Sequence, residues 1–497
     1  MKNKHFPKVL FTSISFFALT ACTDLVVPEK DSSVRASSGD ATFTPGNPTE
    51  LLASAYVDLG TYTDQAGIYA LGEHTSAEMI PPTRGVDWGD NGVWRTLDAH
   101  TWDASHTYIR DAWNNLNQRV YKTNEIIASS PSASQLAQAK FLRAFNMYHV
   151  MDYFGQVPFR EVTQGVNEFP KILSRSEAFD FIVKDLEEAL PGLSDLKPNV
   201  TPGVASKAAA NALLAKLYLN KAVFKSSTPA GPYTFDKADM DKVIAYANAV
   251  TASGYALESS YFKNFANAGS SEVIFVSNEG TAQNRWFMTL HYNQNPSGWN
   301  GFTTLADFYD KFETGDQRKG SPALGNGKEF SGIGRGFLIG TQIDDSGKPI
   351  VDTRTQKVLS FTRDVPLAGA ATDKGIRVIK YHPSDAGKYI LTRLGEVVLA
   401  KAEALFRSGN AASALTLVNE LRTARGAKAL TSLTEQALFD EIGRETYWEG
   451  GARTYEIRFG KFLTGTGAEK KDAHLVLFPI PSSAIVSNPN LKQNAGY

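Results

Sequence analysis

The chain has 497 residues, with 51 Lys and Arg against 52 Asp and Glu, so no basic field points to nucleic acid. Its one cysteine, Cys22, cannot form an intramolecular disulfide and leaves no second thiol for redox chemistry. The length allows two or three cores or one continuous repeat array, and aromatic residues, at 11%, are numerous enough to serve a surface as well as a core.

At the amino terminus Lys2, Lys4 and Lys8 flank and precede an apolar run, residues 9–19, that is too short to cross a bilayer of about 30 Å. Residues 1–21 therefore predict a secretion signal. Leu19-Thr20-Ala21-Cys22 resembles a bacterial lipobox, which implies cleavage before Cys22 and lipid attached to its sulfur. Residues 22–48, rich in Ser, Pro, Gly and Asp, predict a flexible tether.

A helical region is predicted over residues 49–254. It opens on an amphipathic segment carrying Leu51, Leu52, Ala55 and Leu59. Residues 67–103, with Pro81-Pro82, Trp88, Trp94 and Trp102 among many Gly and Asp, predict loop rather than helix, and three tryptophans in one loop need a reason. Helices are predicted at 108–129, with Trp113 on its apolar stripe, and at 136–154, ended by Gly155 and Pro158. Further helices follow at 176–190 with Ser176 as cap, 207–224 and 239–252.

From 255 to 387 short apolar runs such as Val273-Ile274-Phe275-Val276 alternate with Gly, Asn, Pro and Ser clusters, predicting an insertion of loops and short strands. Helical periodicity returns over 388–497. Leu391, Leu394, Val398, Ala402 and Leu405 define one face, with Arg393, Glu396 and Lys401 left to water. Ser408-Gly409-Asn410 makes the turn, and Ala414, Leu417, Val418 and Leu421 define the antiparallel partner, whose Arg422 and Arg425 oppose the helix dipole. Ala402 and Ala414 stand at the close-contact positions of a tetratricopeptide repeat, and Asn211, Leu214, Ala215 and Tyr218 repeat that spacing earlier. A helix at 435–449, carrying Trp448 as a core residue, and an extended tail complete the chain.

Catalytic signatures are missing. No HExxH, paired-cysteine, GxSxG or phosphate-loop pattern occurs, so no metal or cofactor is expected, and Gly332-Ile333-Gly334-Arg335-Gly336 matches a dinucleotide loop only until Phe337 takes the third glycine's place. A paired-carboxylate glycosidase needs no fixed spacing and stays open as a weaker alternative.

Several stretches together resemble the SusD/RagB family of outer-membrane nutrient-binding lipoproteins of Bacteroidetes. Lys140-Phe141-Leu142-Arg143-Ala144-Phe145 running into Tyr153-Phe154-Gly155-Gln156-Val157-Pro158 is similar to one signature, and Arg393-Leu394-Gly395-Glu396 through Ala402-Glu403-Ala404 to another. Arg444-Glu445, Glu449-Gly450, Arg458-Phe459-Gly460-Lys461 and Phe478-Pro479-Ile480-Pro481 follow in the family's order, as does the end of the chain from Asn488 to Tyr497. The chain departs from the pattern at Gly451-Ala452-Arg453, where the family carries a large residue, Arg and soon an Asp-Leu pair.

The resemblance implies a mainly α, SusD-like fold with four tetratricopeptide-like helix pairs plus the loop-rich insertion. It also implies a lipid-anchored protein of the cell outer membrane that passes an oligosaccharide to a SusC-like TonB-dependent transporter and performs no chemistry. Peptide capture for a peptide-importing transporter is the alternative. Sugar capture needs rings to stack on and polar groups for the rim. The candidates are Trp88 and Trp94 with Arg84, Asp87, Asp90 and Asn91, and Trp286, Tyr292 and Trp299 with Asn293 and Asn295.

Overall fold

The helices form where apolar periodicity meets a cap. The computed structural model describes residues 43–164, 168–198, 202–279, 284–464 and 471–497. The signal segment, Cys22 and the tether up to residue 42 lie outside these. Pro48–Val57 (α1) starts on Asn47, whose side chain accepts the Thr49 amide. Two short helices, Ile68–Glu73 (α2) and Val93–Asp98 (α3), interrupt the segment expected to be loop throughout. Each is held by its neighbours rather than by propensity: every residue of α2 is buried.

Thr107–Ala128 (α4) and Ala133–Phe154 (α5) form the first long antiparallel pair. A capping box starts α5, with Ser132 and Gln135 each satisfying the other's backbone amide, and Gly155 ends it in the left-handed conformation (φ 69°) that glycine adopts without strain. Strand Gln156–Phe159 (β1) then pairs antiparallel with Lys171–Ser174 (β2). Arg175–Ala189 (α6) follows directly, capped by Ser174 and Glu177, so the cap lies two residues before the Ser176 that periodicity suggested. Lys207–Leu219 (α7) and Lys237–Ala252 (α8) make the next pair.

The insertion has short strands and loops, with Val273–Ser277 (β3) buried at all five positions. Asn284–Phe287 (α9), Arg335–Leu338 (β4), Val351–Asp352 (β5), Lys357–Val358 (β6) and Arg377–Ile379 (β7) follow; β4 pairs with β7, and β5 with β6 as a hairpin. Strand Tyr389–Arg393 (β8) pairs with β3, so Leu391 belongs to a sheet and not to the helix its spacing suggested. Leu394–Arg407 (α10) and Ala411–Ala424 (α11) are the repeat pair, and α8 packs on α10, which joins the helices before the insertion to those after it. Glu435–Thr446 (α12) and Ala452–Arg458 (α13) close the body. Trp448 is core, as expected, but sits in the turn after α12 at φ 58°.

Arg393 is not left to water as the sequence pattern put it, while Arg422 and Arg425 keep their place at the end of α11. Arg393 is 1% exposed, and Arg422 and Arg425 are also buried. Arg393 reaches Glu445 at 2.6 Å and Glu449 at 2.7 Å, and Arg425 reaches Glu445 at 2.7 Å and Glu272 at 2.8 Å. Arg422 meets Glu441 at 2.6 Å. Their acidic partners come from β3's approach, from α12 and from the turn after it, which no local periodicity could reveal. Where the family pattern breaks, Arg453 is fully buried 3.6 Å from Asp152. The described residues form one compact unit, with a main core that runs from Leu52 to Leu491.

Candidate functional site

Two loops far apart in sequence meet at one aromatic surface. The first leads from Arg84 to α3, and its backbone is unusual, with Trp88 (φ 62°), Asp90 (φ 36°) and Asn91 (φ 55°) all in the left-handed region. Each such non-glycine residue costs of order 1–3 kcal/mol, and strain of this kind persists where surrounding contacts enforce it, often at binding sites. The second runs from α9 to Phe302, and Asn300 (φ 54°) repeats the feature beside Trp299.

The Trp88 indole N–H donates to the Trp299 carbonyl at 2.8 Å, and the two rings lie 6.2 Å apart. Trp88 packs on Phe302 at 5.0 Å, and Phe287 packs on Trp299 at 4.9 Å. Gly301 makes room for this: a Cβ there would stand 2.4 Å from the Trp88 ring. Trp299 remains 50% exposed and Trp88 half-buried, so two indoles present themselves side by side.

A polar rim adjoins them. Tyr292 donates its hydroxyl to Asp87 at 2.6 Å, and Arg354, from the turn of the β5–β6 hairpin, reaches the same carboxylate at 2.7 Å. The Arg354 guanidinium also lies 4.0 Å from the centre of the Tyr292 ring. Hydrogen bonds from Tyr292 and Arg354 hold the Asp87 carboxyl below its ordinary range, while burial and then Asp87 push the Tyr292 hydroxyl up to about 12. Asp87 is thus an ionised acceptor and Tyr292 a neutral phenol.

The structure therefore brings Trp88, Asp87, Tyr292 and Trp299 together. It separates others. Trp94 is 2% exposed, its N–H taken by Asp90 at 2.7 Å and its ring packed against Trp88 from behind, so it supports the surface without reaching it. Arg84 is 3% exposed and donates to the carbonyls of Ala371 and Lys374; it organises the loop and presents no donor outward, and burial brings its guanidinium down to about 10. Asn91 is exposed on the same turn. Asn293 and Asn295 are engaged with Thr353 and Asp345 in loop-to-loop contacts. Trp286 makes no ring contact with Trp299 and opens into a different cleft. Arg354 was not foreseen; its only sequence signal is a polar turn between Val351 and Val358. Trp102, the third loop tryptophan, is buried and donates to the Tyr497 hydroxyl at 2.7 Å, which ties down the carboxyl terminus.

Among the described residues no cluster of three His, Cys, Asp or Glu could hold a metal, and no helix is long and apolar enough to cross a membrane. Glu73, Glu78 and Glu456, whose pKa burial raises, lie in the core, and burial also raises Asp185, buried beside Arg143, and the half-buried Glu125 on α4; none of these is a rim residue.

Comparison with known proteins finds two segments that match family models. Residues 90–204 match a family model described as starch-binding associating with outer membrane, and residues 368–471 match the SusD family model. The chain is 26% identical over 474 residues to the starch-binding protein SusD of Bacteroides thetaiotaomicron, covering 82% of each, and 24% identical to a SusD-like protein of Bacteroides ovatus, covering 89% of this chain and 80% of that one. Among solved structures, surface glycan-binding protein A from Bacteroides uniformis is 18% identical with a TM-score of 0.68, covering 90% of this chain and 99% of that one. A laminarin binding SusD-like protein is 19% identical with a TM-score of 0.68, covering 91% and 100%. Both matched segments stand in order along a chain that has the mainly α fold of these solved structures, so the chain is similar to the SusD family in sequence and shares that fold.

Proposed function

We propose that this protein captures an oligosaccharide at the cell surface and hands it to a SusC-like TonB-dependent transporter. The observation that carries this is the paired Trp88 and Trp299 surface, rimmed by Asp87, Tyr292 and Arg354. Sugars offer flat C–H faces bounded by hydroxyls; the two indoles match the faces, and the ionised carboxylate, neutral phenol and guanidinium match the hydroxyls. The names of the relatives, one starch-binding and one laminarin binding, support a glycan as ligand. Binding proceeds without hydrolysis on this view, since a glycosidase pair requires one carboxyl of raised pKa at the sugar, and Asp87 is held ionised.

Calorimetry with maltoheptaose and laminariheptaose tests the site. Trp88→Ala and Trp299→Ala are each expected to weaken binding by about tenfold, the loss of one stacked ring. Unchanged affinity in both variants would remove the surface from consideration.

Anchoring is assigned to Cys22, which lies outside the described residues. Two or three acyl chains on one cysteine hold a protein at a membrane effectively permanently, at about 0.8 kcal/mol per buried CH₂. Cys22→Ser is expected to leave a folded, ligand-competent protein that appears in the soluble fraction of cells lacking the transporter. Its retention in the outer-membrane fraction would show that another feature localises it.

A further inference from the structure

The turn that carries Trp299 hangs on α9 and the residues just after it. The Trp299 amide donates to the Phe287 carbonyl at 2.8 Å, the Asn300 amide to Leu290 at 2.8 Å and the Gly301 amide to Met288 at 2.7 Å. The chain reverses at Asn300, whose left-handed backbone (φ 54°) is one that asparagine reaches at less cost than most residues.

The Asn300 side chain is fully buried and held from both ends. Its Oδ1 accepts Arg377 Nη2 at 2.6 Å, and its Nδ2 donates to the Thr372 carbonyl at 2.9 Å. Arg377 can only donate, so the orientation of the amide is settled and both of its ends are satisfied.

Arg377 is also fully buried. It opens strand β7, whose pairing with β4 gives it a fixed base. Its guanidinium lies 4.3 Å from the centre of the Phe361 ring and donates to the carbonyls of Thr372 at 2.9 Å, Lys374 at 2.7 Å and Gly375 at 2.5 Å. Arg84 donates to the same Lys374 carbonyl at 2.8 Å. Every acceptor of Arg377 is thus a neutral oxygen. Burial and then Arg84 lower its guanidinium well below the ordinary value, and Asp373 and Tyr292 do not reverse this. A cation buried on such terms is a costly way to gain stability; what it supplies is a planar fork that meets four oxygens of two loops at once.

Taking the Trp88 and Trp299 surface as the ligand platform, we infer that Arg377 is a positioning residue for ligand capture: through Asn300 it fixes the turn that presents the Trp299 indole beside Trp88.

Fluorine NMR of fluorotryptophan-labelled protein, with calorimetry on the same variants, tests this. The Trp299 resonance is assigned by its loss in Trp299→Ala. Arg377→Lys keeps the charge and loses the fork, whereas Asn300→Gly keeps access to the left-handed backbone and loses the side chain. Each is expected to move the Trp299 resonance, to leave that of Trp113 on α4 in place, and to raise the Kd of the heptaose that binds, maltoheptaose or laminariheptaose, about tenfold, as loss of one stacked ring would. Both substitutions together are expected to cost no more than either alone, because they break the same bond. An unmoved Trp299 resonance in both variants, a Kd unchanged by either, or Kd rises that multiply in the double variant would each overturn the inference. If neither heptaose binds the unaltered protein, the glycan reading fails while the Trp299 resonance still decides the positioning role. If Arg377→Lys also moves the Trp113 resonance, as misfolding would, Asn300→Gly decides alone, and an unmoved Trp299 resonance there overturns the inference.

Discussion

Glu73, Glu78 and Glu456 are buried carboxyls whose hydrogen bonds come from neutral groups: the Gly450, Trp448 and Ala77 amides and the Tyr455 hydroxyl. No ion pair reaches any of them among the described residues. Burial raises Glu456 to about 8 and Glu78 to about 7, and Glu73 also lies well above its ordinary value, with Lys311 and Lys380 too weak an influence to reverse this. The sign follows from linkage. A carboxyl that binds its proton more tightly when folded contributes stability below its unfolded value near 4.5 and loses it as pH rises through the folded value, at about 1.4 kcal/mol per pH unit. Buried His149 and His291, both lowered to about 4 by burial, act in the opposite sense below pH 6.5, so the test uses a difference. Glu456→Gln keeps the acceptor for the Ala77 amide and removes the titration. Its melting temperature relative to the unsubstituted protein is expected to rise steadily between pH 5 and pH 8, and a constant difference would mean that Glu456 is ionised throughout.

Long helices were legible in the sequence because a stripe of apolar residues over 14 to 22 positions has one reading, and α4, α5, α10 and α11 begin and end within a few residues of expectation. Short elements were not. The Ile68–Glu73 helix has too few residues for periodicity, and Leu391 satisfies the spacing of α10 while it lies in strand β8, whose neighbouring Ile390 and Thr392 pair with β3. The loop tryptophans show the same limit at the site. Trp88, Trp94 and Trp102 share one composition, yet Trp102 meets Tyr497, Trp94 meets Asp90, and only Trp88 finds a partner loop that leaves its ring half open. Residue type could nominate aromatic rings for a surface. Their burial depended on loops more than 200 residues away, and Arg354 reached the rim through a hairpin with no chemistry of its own.

At the scale of the whole molecule, the insertion and the helices are joined through charge. Arg318 and Glu272 come from the insertion, Arg393 from β8, Arg425 from the end of α11, and Glu441 and Glu445 from α12. Glu445 stands at the centre, within 3.1 Å of Arg318, 2.6 Å of Arg393 and 2.7 Å of Arg425. Burial alone would raise its pKa, but Arg425 and Arg393 more than offset this and hold it well below the ordinary value. Removing charge at such a point leaves several guanidiniums buried with fewer acceptors, a loss of about 3–5 kcal/mol where a buried pair is broken from one side. The exposed pair Lys237 and Asp241 has equally good geometry, at 2.8 Å, but with both side chains more than half exposed it is worth at most about 1 kcal/mol. Urea unfolding of Glu445→Ala and Asp241→Ala therefore compares burial at matched distance. Glu445→Ala is expected to lower the midpoint sharply and Asp241→Ala to leave it within error. Equal shifts would mean that distance, and not exclusion of water, decides what these ion pairs contribute, and the joint between insertion and helices would then have to rest on the β3–β8 sheet and the apolar core alone.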